Sequence, residues 1–251
     1  MKTRLLRLVA RAIFRLMGKS AYCQDGLISV HNHDFMKDAA FQRSYARAVL
    51  AGGHDYNIHW RAHVALWVAS CASKLPGDFV ECGVNRGFLS SAIMHHLDWN
   101  NQNRRFYLLD TFQGVDPLQV SPEEREMGVL EHHKCYLKSG GYVSGSDSVR
   151  KNFSEWPNAI IVQGSIPDTL PQVDTSAIAY LHLDLNCAPP EVAAIKYFWN
   201  RLVPHAFVLL DDYAYDGYNV SKKYMDDFAA TVEVPIVSLP TGQGLLLKPP
   251  R

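Results

Sequence analysis

The chain has 251 residues, 47% of them apolar, enough to fill one well-packed domain. Twenty-five basic residues balance 25 acidic ones, and a chain with no basic surplus is poorly suited to neutralising many phosphates, which argues against a nucleic-acid substrate. Cys23, Cys71, Cys82, Cys135 and Cys187 are widely spaced without a C-x-x-C pair, which argues against a zinc cluster or disulfide framework and for a reducing, cytoplasmic setting.

In chain order, the first 19 residues carry Lys2, Arg4, Arg7, Arg11, Arg15 and Lys19, with no acid before Asp25. A cation breaks the apolar sequence every three or four positions, so the segment is neither a secretory signal nor a transmembrane helix. Wound as a helix, Arg4, Arg7, Arg11 and Arg15 form one stripe beside Leu5, Leu8, Val9 and Ile13. That stripe suits peripheral contact with the inner face of an anionic membrane. It suits equally a helix packed on its own domain or on a second subunit of a homo-oligomer. Residues 1–58 read as an N-terminal helical extension or lid, with helical spacing over Asp34–Leu50, and residues 59–251 as the main domain.

A helix is expected over His59–Lys74, where Ala62, Ala65, Leu66, Ala69 and Ala72 recur at intervals of three or four until Pro76-Gly77 stops it. The texture then changes to short apolar runs separated by helical stretches. The runs are Phe79–Gly83, Arg105–Asp110, Ala159–Gly164, Ile178–Asp184 and Ala206–Asp211. Continuous apolar runs mark strands covered on both faces, hence a parallel sheet. Glu233–Leu239 and Leu245–Lys248, bridged by Pro240–Gly244, predict an antiparallel hairpin at the edge. The expectation is an α/β fold with a mostly parallel seven-stranded sheet and helices on both faces. Those helices fall over Phe88–Leu97, Ser146–Glu155, Glu191–Leu202 and Tyr218–Ala229.

The chemistry collects at strand ends. Gly83, Asp110, Gly164, Asp184, Asp211 and Asp212 all lie at or just past a predicted C-terminal strand end, the edge where open α/β sheets bind ligands. Glu81-Cys-Gly83-Val84-Asn-Arg86-Gly87 spaces its glycines as E-x-G-x-x-x-G, which lacks the third glycine of a dinucleotide fingerprint and disfavours a nicotinamide oxidoreductase. Asp110, 27 residues after Gly83, is placed to accept hydrogen bonds from both hydroxyls of an adenosine ribose. Asp184 and Asp211-Asp212 end adjacent strands about 4.8 Å apart. Three carboxylates so close would repel unless a cation joined them, and an all-oxygen set selects Mg²⁺, Ca²⁺ or Mn²⁺ over zinc. The insertion Gly114–Gly145, with a flexible point at Ser139-Gly140-Gly141, has the length of an active-site lid and carries His132-His133.

The segments Pro76–Gly87, Leu109-Asp-Thr-Phe-Gln-Gly114, Leu181-His-Leu-Asp-Leu185 and Leu210-Asp-Asp-Tyr213 resemble the macrocin O-methyltransferase family, in the family's order, from about His59 onward. The resemblance implies a Rossmann-like class I methyltransferase that uses S-adenosylmethionine and Mg²⁺ and acts on a sugar-like hydroxyl of a natural product or glycan. It implies cofactor contacts from Glu81, Gly83, Val84, Arg86 and Gly87, with Arg86 facing the methionine carboxylate. Further contacts are implied from Asp110 with Thr111 at the ribose, from Gly164, Ser165 and Ile166 at the adenine, and from Arg61 near the cofactor's lid. It also implies Mg²⁺ on Asp184, Asp211 and Asp212, with Asp184 as the proton acceptor. The chain departs from the family after Asp184: where Asp-Leu-Tyr-Glu is usual, it has Asn186-Cys187-Ala188-Pro189. An asparagine is no base, and with Ala188 it favours a non-catalytic cofactor-binding assembly module as one alternative reading; a catechol-type methyltransferase, which would need the same metal, is the other.

Overall fold

The computed structural model describes residues 21–250 and, before them, positions 9, 12, 13, 16 and 18. The stripe at Arg4, Arg7, Arg11 and Arg15 lies outside the described residues, and with it the membrane and subunit expectations. Among the described residues no helix is long and apolar enough to cross a membrane.

The described chain opens on a small hairpin that the hydrophobic pattern did not reveal. Strands β1 (Tyr22–Gln24) and β2 (Leu27–Ser29) pair antiparallel across Asp25-Gly26, both of which have positive φ. Asp-Gly is a favoured pair for such a two-residue turn. Helix α1 (Ala39–Gly52) starts at Asp38, whose side chain accepts from Phe41 N at 2.8 Å, and stops at left-handed Gly53. Helix α2 (His59–Ala72) follows. Phe41, Tyr45 and Ala48 of α1 and Ala62, Ala65 and Leu66 of α2 are buried in one cluster on one face of the sheet.

The sheet is built from β3 (Asp78–Cys82), β4 (Phe106–Asp110), β5 (Ala159–Gln163), β6 (Ile178–Leu183), β7 (Leu202–Leu210), β8 (Val237–Ser238) and β9 (Gly244–Leu247). Its order is β5-β4-β3-β6-β7-β9-β8, parallel throughout except for β9 against β7 and β8. The seven-stranded sheet with an antiparallel C-terminal hairpin is the expected architecture. Every side chain of β6 is buried, as a strand covered on both faces requires. From β3 the chain winds outward through β4 and β5, then returns to β6 on the other side. The switch point is therefore the gap between β3 and β6, where a ligand crevice is expected. Gly83 N donates to Leu109 O and Asp184 N to Cys82 O, so the segments leaving β3 and β6 stay in register with the sheet.

Helices α3 (Phe88–His96), α6 (Asp147–Phe153), α7 (Ala188–Phe198) and α8 (Asn219–Thr231) cover the faces within a few residues of expectation. The insertion between β4 and α6 contains two helices of its own, α4 (Pro122–Glu126) and α5 (Val129–Lys138). Ser121 and Glu124 form a capping box at α4. The other oxygen of Glu124 accepts from Ala188 N at 2.7 Å, which pins the insertion to the first turn of α7. The terminal hairpin is shorter than expected. Pro235 has no N–H for a ladder and Glu233 sits at positive φ, so only Val237–Ser238 of the predicted run pairs.

Candidate active site

Two clefts open at the switch point. The first encloses about 500 Å³, mouth included, and is lined by Gly83, Asp110, Thr111, Gly164, Ser165 and Ile166 among others. The second encloses about 990 Å³ and is lined on one wall by Arg61, Glu81, Asp184, Asp211 and Asp212. Gly83, Asp184, Asn186 and Tyr142 line both, so the clefts meet there. Val84 and Arg86 face the second cleft rather than the first, and so do Arg61 and Glu81. Gly87 caps α3 from a left-handed backbone.

The first cleft is shaped by backbone. Gly83 has φ +94°, and a Cβ there would lie 1.8 Å from the carbonyl oxygen of Asp184. No other residue brings β3 and β6 so close. Asp110 reaches back to the same turn. Its Oδ2 accepts from Val84 N at 2.8 Å and Asn85 N at 2.7 Å, and its Oδ1 accepts from Phe112 N at 2.6 Å. Burial raises the Asp110 pKa against these three bonds, which lower it. The carboxylate thus fixes the turn, while its place in the lining keeps it at the cleft. Ser165 Oγ donates to Asp116 Oδ2 at 2.5 Å, which adds an acid from the insertion to the same wall.

The second cleft is shaped by charge. Arg61, 7% exposed, is the hub: Nε lies 2.8 Å from Asp25 Oδ2, and Nη1 lies 2.5 Å from Asp211 Oδ2 and 3.5 Å from Asp212 Oδ1. Its guanidinium also stacks on Tyr215 at 4.4 Å. Asp211 Oδ1 accepts from Gln243 Nε2 at 2.9 Å. Behind Asp211 stands His182, fully buried, with Nδ1 3.0 Å from Glu81 Oε1 and Nε2 3.7 Å from Asp211 Oδ1. Burial alone would hold His182 neutral, but the hydrogen bonds and charges of Asp211 and Glu81 outweigh it and raise the imidazole to about 10. Arg61 and His182 between them hold Asp211 well below the usual carboxylate range, against the pull of burial.

Asp184 and Asp212 are shifted the other way. Burial, then Asp211 and Asp212, push Asp184 well above its ordinary value. Burial and Asp211 push Asp212 up to about 7. Asn186 Nδ2 donates to Asp184 Oδ1 at 3.1 Å, and Tyr218 Oη donates to Asn186 Oδ1 at 2.8 Å. Asn186 therefore orients Asp184 from the position where the family carries an acid.

The expected carboxylate set comes together in one cleft, yet not as a finished metal shell. Among the described residues no three His, Cys, Asp or Glu side chains are disposed to hold an ion. Arg61 gives the reason, since its guanidinium already bridges Asp211 and Asp212. The chemistry of the donors still fits a hard divalent cation: all three are carboxylates, and they line one cleft.

Sequence reasoning missed Asp25, His182 and Gln243 as parts of this cluster. The Asp25-Gly26 turn signal and the Leu181-His-Leu-Asp184 run pointed to the first two. Nothing in the local pattern marked Gln243.

A β5-β4-β3-β6-β7-β9-β8 sheet with a glycine turn after its central strand and an acid after the next defines a class I methyltransferase fold. Residues 64–238 match the family model "Macrocin-O-methyltransferase (TylF)", and the chain belongs to that family. Over 156 residues it is 31% identical to the 8-demethyl-8-(2,3-dimethoxy-alpha-L-rhamnosyl)-tetracenomycin-C 4'-O-methyltransferase of Streptomyces olivaceus, covering 58% of this chain and 56% of that one. Over 146 residues it is 24% identical to the Mycinamicin III 3''-O-methyltransferase of Micromonospora griseorubida, covering 55% and 56%. The chain thus spans about half the length of the curated relatives it matches. The solved structure of the O-methyltransferase NovP superposes with a TM-score of 0.65 at 19% identity, over 87% of this chain and 98% of that one.

Proposed function

We propose that this chain is an O-methyltransferase that takes a methyl group from S-adenosylmethionine and delivers it, with Mg²⁺, to a hydroxyl of a sugar on a natural product or glycan. The observation that carries the reading is the meeting of the two clefts at Gly83 and Asp184. One cleft is lined by the turn and the acid expected for an adenosine-containing donor. The other is a roomy, carboxylate-rich chamber with tyrosines and histidines for an acceptor. The names of the two curated relatives, both O-methyltransferases of glycosylated compounds, support the sugar class.

In this reading Gly83, Asp110, Thr111, Gly164, Ser165 and Ile166 hold the donor. The wider donor set of Arg61, Glu81, Val84, Arg86 and Gly87 acts at the boundary or behind it. Asp184, Asp211 and Asp212 would hold Mg²⁺, and when bound the donor supplies an electrophilic methyl group and the metal lowers the pKa of a coordinated hydroxyl. The remaining work falls to the chain's own side chains. Asp184, which the bound cation would keep ionised, would accept the hydroxyl proton. Asn186 and Tyr218 orient that carboxylate. Arg61 and His182 keep Asp211 ionised at any pH near neutrality, so the wall stays preorganised before the acceptor arrives.

Mass-spectrometric assay of methyl transfer to a panel of glycosides and catechols, with and without EDTA, tests both parts. Methylated glycosides, lost on chelation and restored by Mg²⁺, are expected. Transfer to catechols alone would replace the sugar reading, and full turnover by demonstrably metal-free protein would remove the metal.

A further inference from the structure

The turn that shapes the first cleft also grips the insertion that walls the second. Asn85 lies in that turn, with its N–H donated to Asp110 Oδ2 at 2.7 Å. Its carboxamide faces the other way and clasps the chain across a single residue: Nδ2 donates to Gly141 O at 3.1 Å, and Oδ1 accepts from Val143 N at 2.9 Å. The residue between is Tyr142, one of those lining both clefts. Next to it in the turn, Arg86 donates to Gly140 O at 3.1 Å. The Tyr142 hydroxyl lies 2.7 Å from His133 Nδ1, and its ring packs edge-on against Tyr136 at 4.9 Å, so α5 is registered through the same residue.

We propose that Asn85 is a positioning residue that couples donor binding to the acceptor wall: by clasping Gly141 and Val143 it sets Tyr142, and through it His133 and Tyr136, over the junction at Asp184. A ligand in the first cleft meets Gly83 and Asp110, whose carboxylate holds the Asn85 N–H, and the clasp passes the resulting restriction to residues 140–143. The acceptor wall is then complete only when the donor cleft is filled. Donor before acceptor is the binding order that follows. The inference rests on the first cleft being the donor site. It concerns no assigned contact of the donor itself.

Amide hydrogen exchange of the full chain, with and without S-adenosylhomocysteine, reads the coupling directly, because the Val143 N–H is itself one of the clasped groups. Calorimetry on the same samples reports binding separately. Asn85 has φ +48°, so Asn85→Gly removes the carboxamide without straining the backbone. In the wild type, S-adenosylhomocysteine is expected to slow exchange at Gly141–Val143 by about tenfold, the size one hydrogen bond supplies. Asn85→Gly should still bind it while losing that added protection. Asn85→Asp, which keeps the acceptor for Val143 N–H, should restore protection at Val143. Equal ligand-induced protection in wild type and Asn85→Gly, or none in a wild type that binds the ligand, would overturn the coupling alone. Absence of binding to the wild type would take down the donor site and the coupling with it.

Discussion

The two clefts share a rim but are made of different material. The first cleft is a backbone structure: a left-handed glycine, three N–H groups converging on one carboxylate, and strands held in register. The second is a side-chain structure, in which Arg61 and His182 balance Asp25, Glu81, Asp211 and Asp212, the six residues coming from five separate segments. Backbone geometry demands particular residues at fixed spacing and so leaves a motif. A charge cluster demands only that its sum be satisfied, and its members can come from anywhere that the fold brings near.

The largest effect expected from breaking the first cleft is at Gly83. Gly83→Ala puts a Cβ 1.8 Å from Asp184 O at a φ that L residues rarely adopt. Titration calorimetry should find no S-adenosylhomocysteine binding. Binding within tenfold of wild type would show that the close approach of β3 and β6 does not shape the site.

In the second cleft, Arg61→Ala leaves three carboxylates without their buried counter-charge, and urea melts should show a loss of about 3–5 kcal/mol. Arg61→Lys should recover only part, since one ammonium cannot reproduce a forked guanidinium. Added Mg²⁺ should stabilise Arg61→Ala more than wild type, because the ion no longer competes with the guanidinium at Asp211 and Asp212. A smaller effect is expected from Asp110→Ala, which weakens donor binding by about 1.5–3 kcal/mol through loss of bonds to a charged group.

The smallest effect is expected at His133, which the insertion contributes to the second cleft. Burial, with His132 adding to it, lowers the His133 pKa to about 4. The unfolded imidazole takes up a proton near 6.5 and the folded one does not, so stability falls as pH drops from about 6.5 towards about 4. Thermal melts of wild type at pH 7 and pH 4.5 should differ by more than those of His133→Gln. Equal acid sensitivity in the two would place the titrating group elsewhere.

The same contrast explains what was legible in the sequence. The parallel strands appeared as continuous apolar runs because both of their faces are buried, and Gly83, Asp110 and Gly164 stood at their ends. The contacts that hold the insertion left no sign in its own sequence because the partners are far away: Glu124 accepts from Ala188 N, and Asn85 from Val143 N. The β1–β2 hairpin was too short to show alternation, so Asp25 escaped notice although Asp-Gly marked its turn. The resemblance brings Arg61 to the cofactor's lid, and nothing in its local pattern shows that it also pairs with Asp25, Asp211 and Asp212, which come from distant segments.

The most direct test compares Asp184→Asn with wild type at the junction itself. S-adenosylhomocysteine affinity by calorimetry and methyl transfer to glycosides by mass spectrometry are measured on the same protein. Donor affinity within a few-fold of wild type with transfer lost is expected from the proposed role of Asp184 at the acceptor hydroxyl. Transfer retained in Asp184→Asn, or donor binding lost along with it, would contradict the division of the site at this residue.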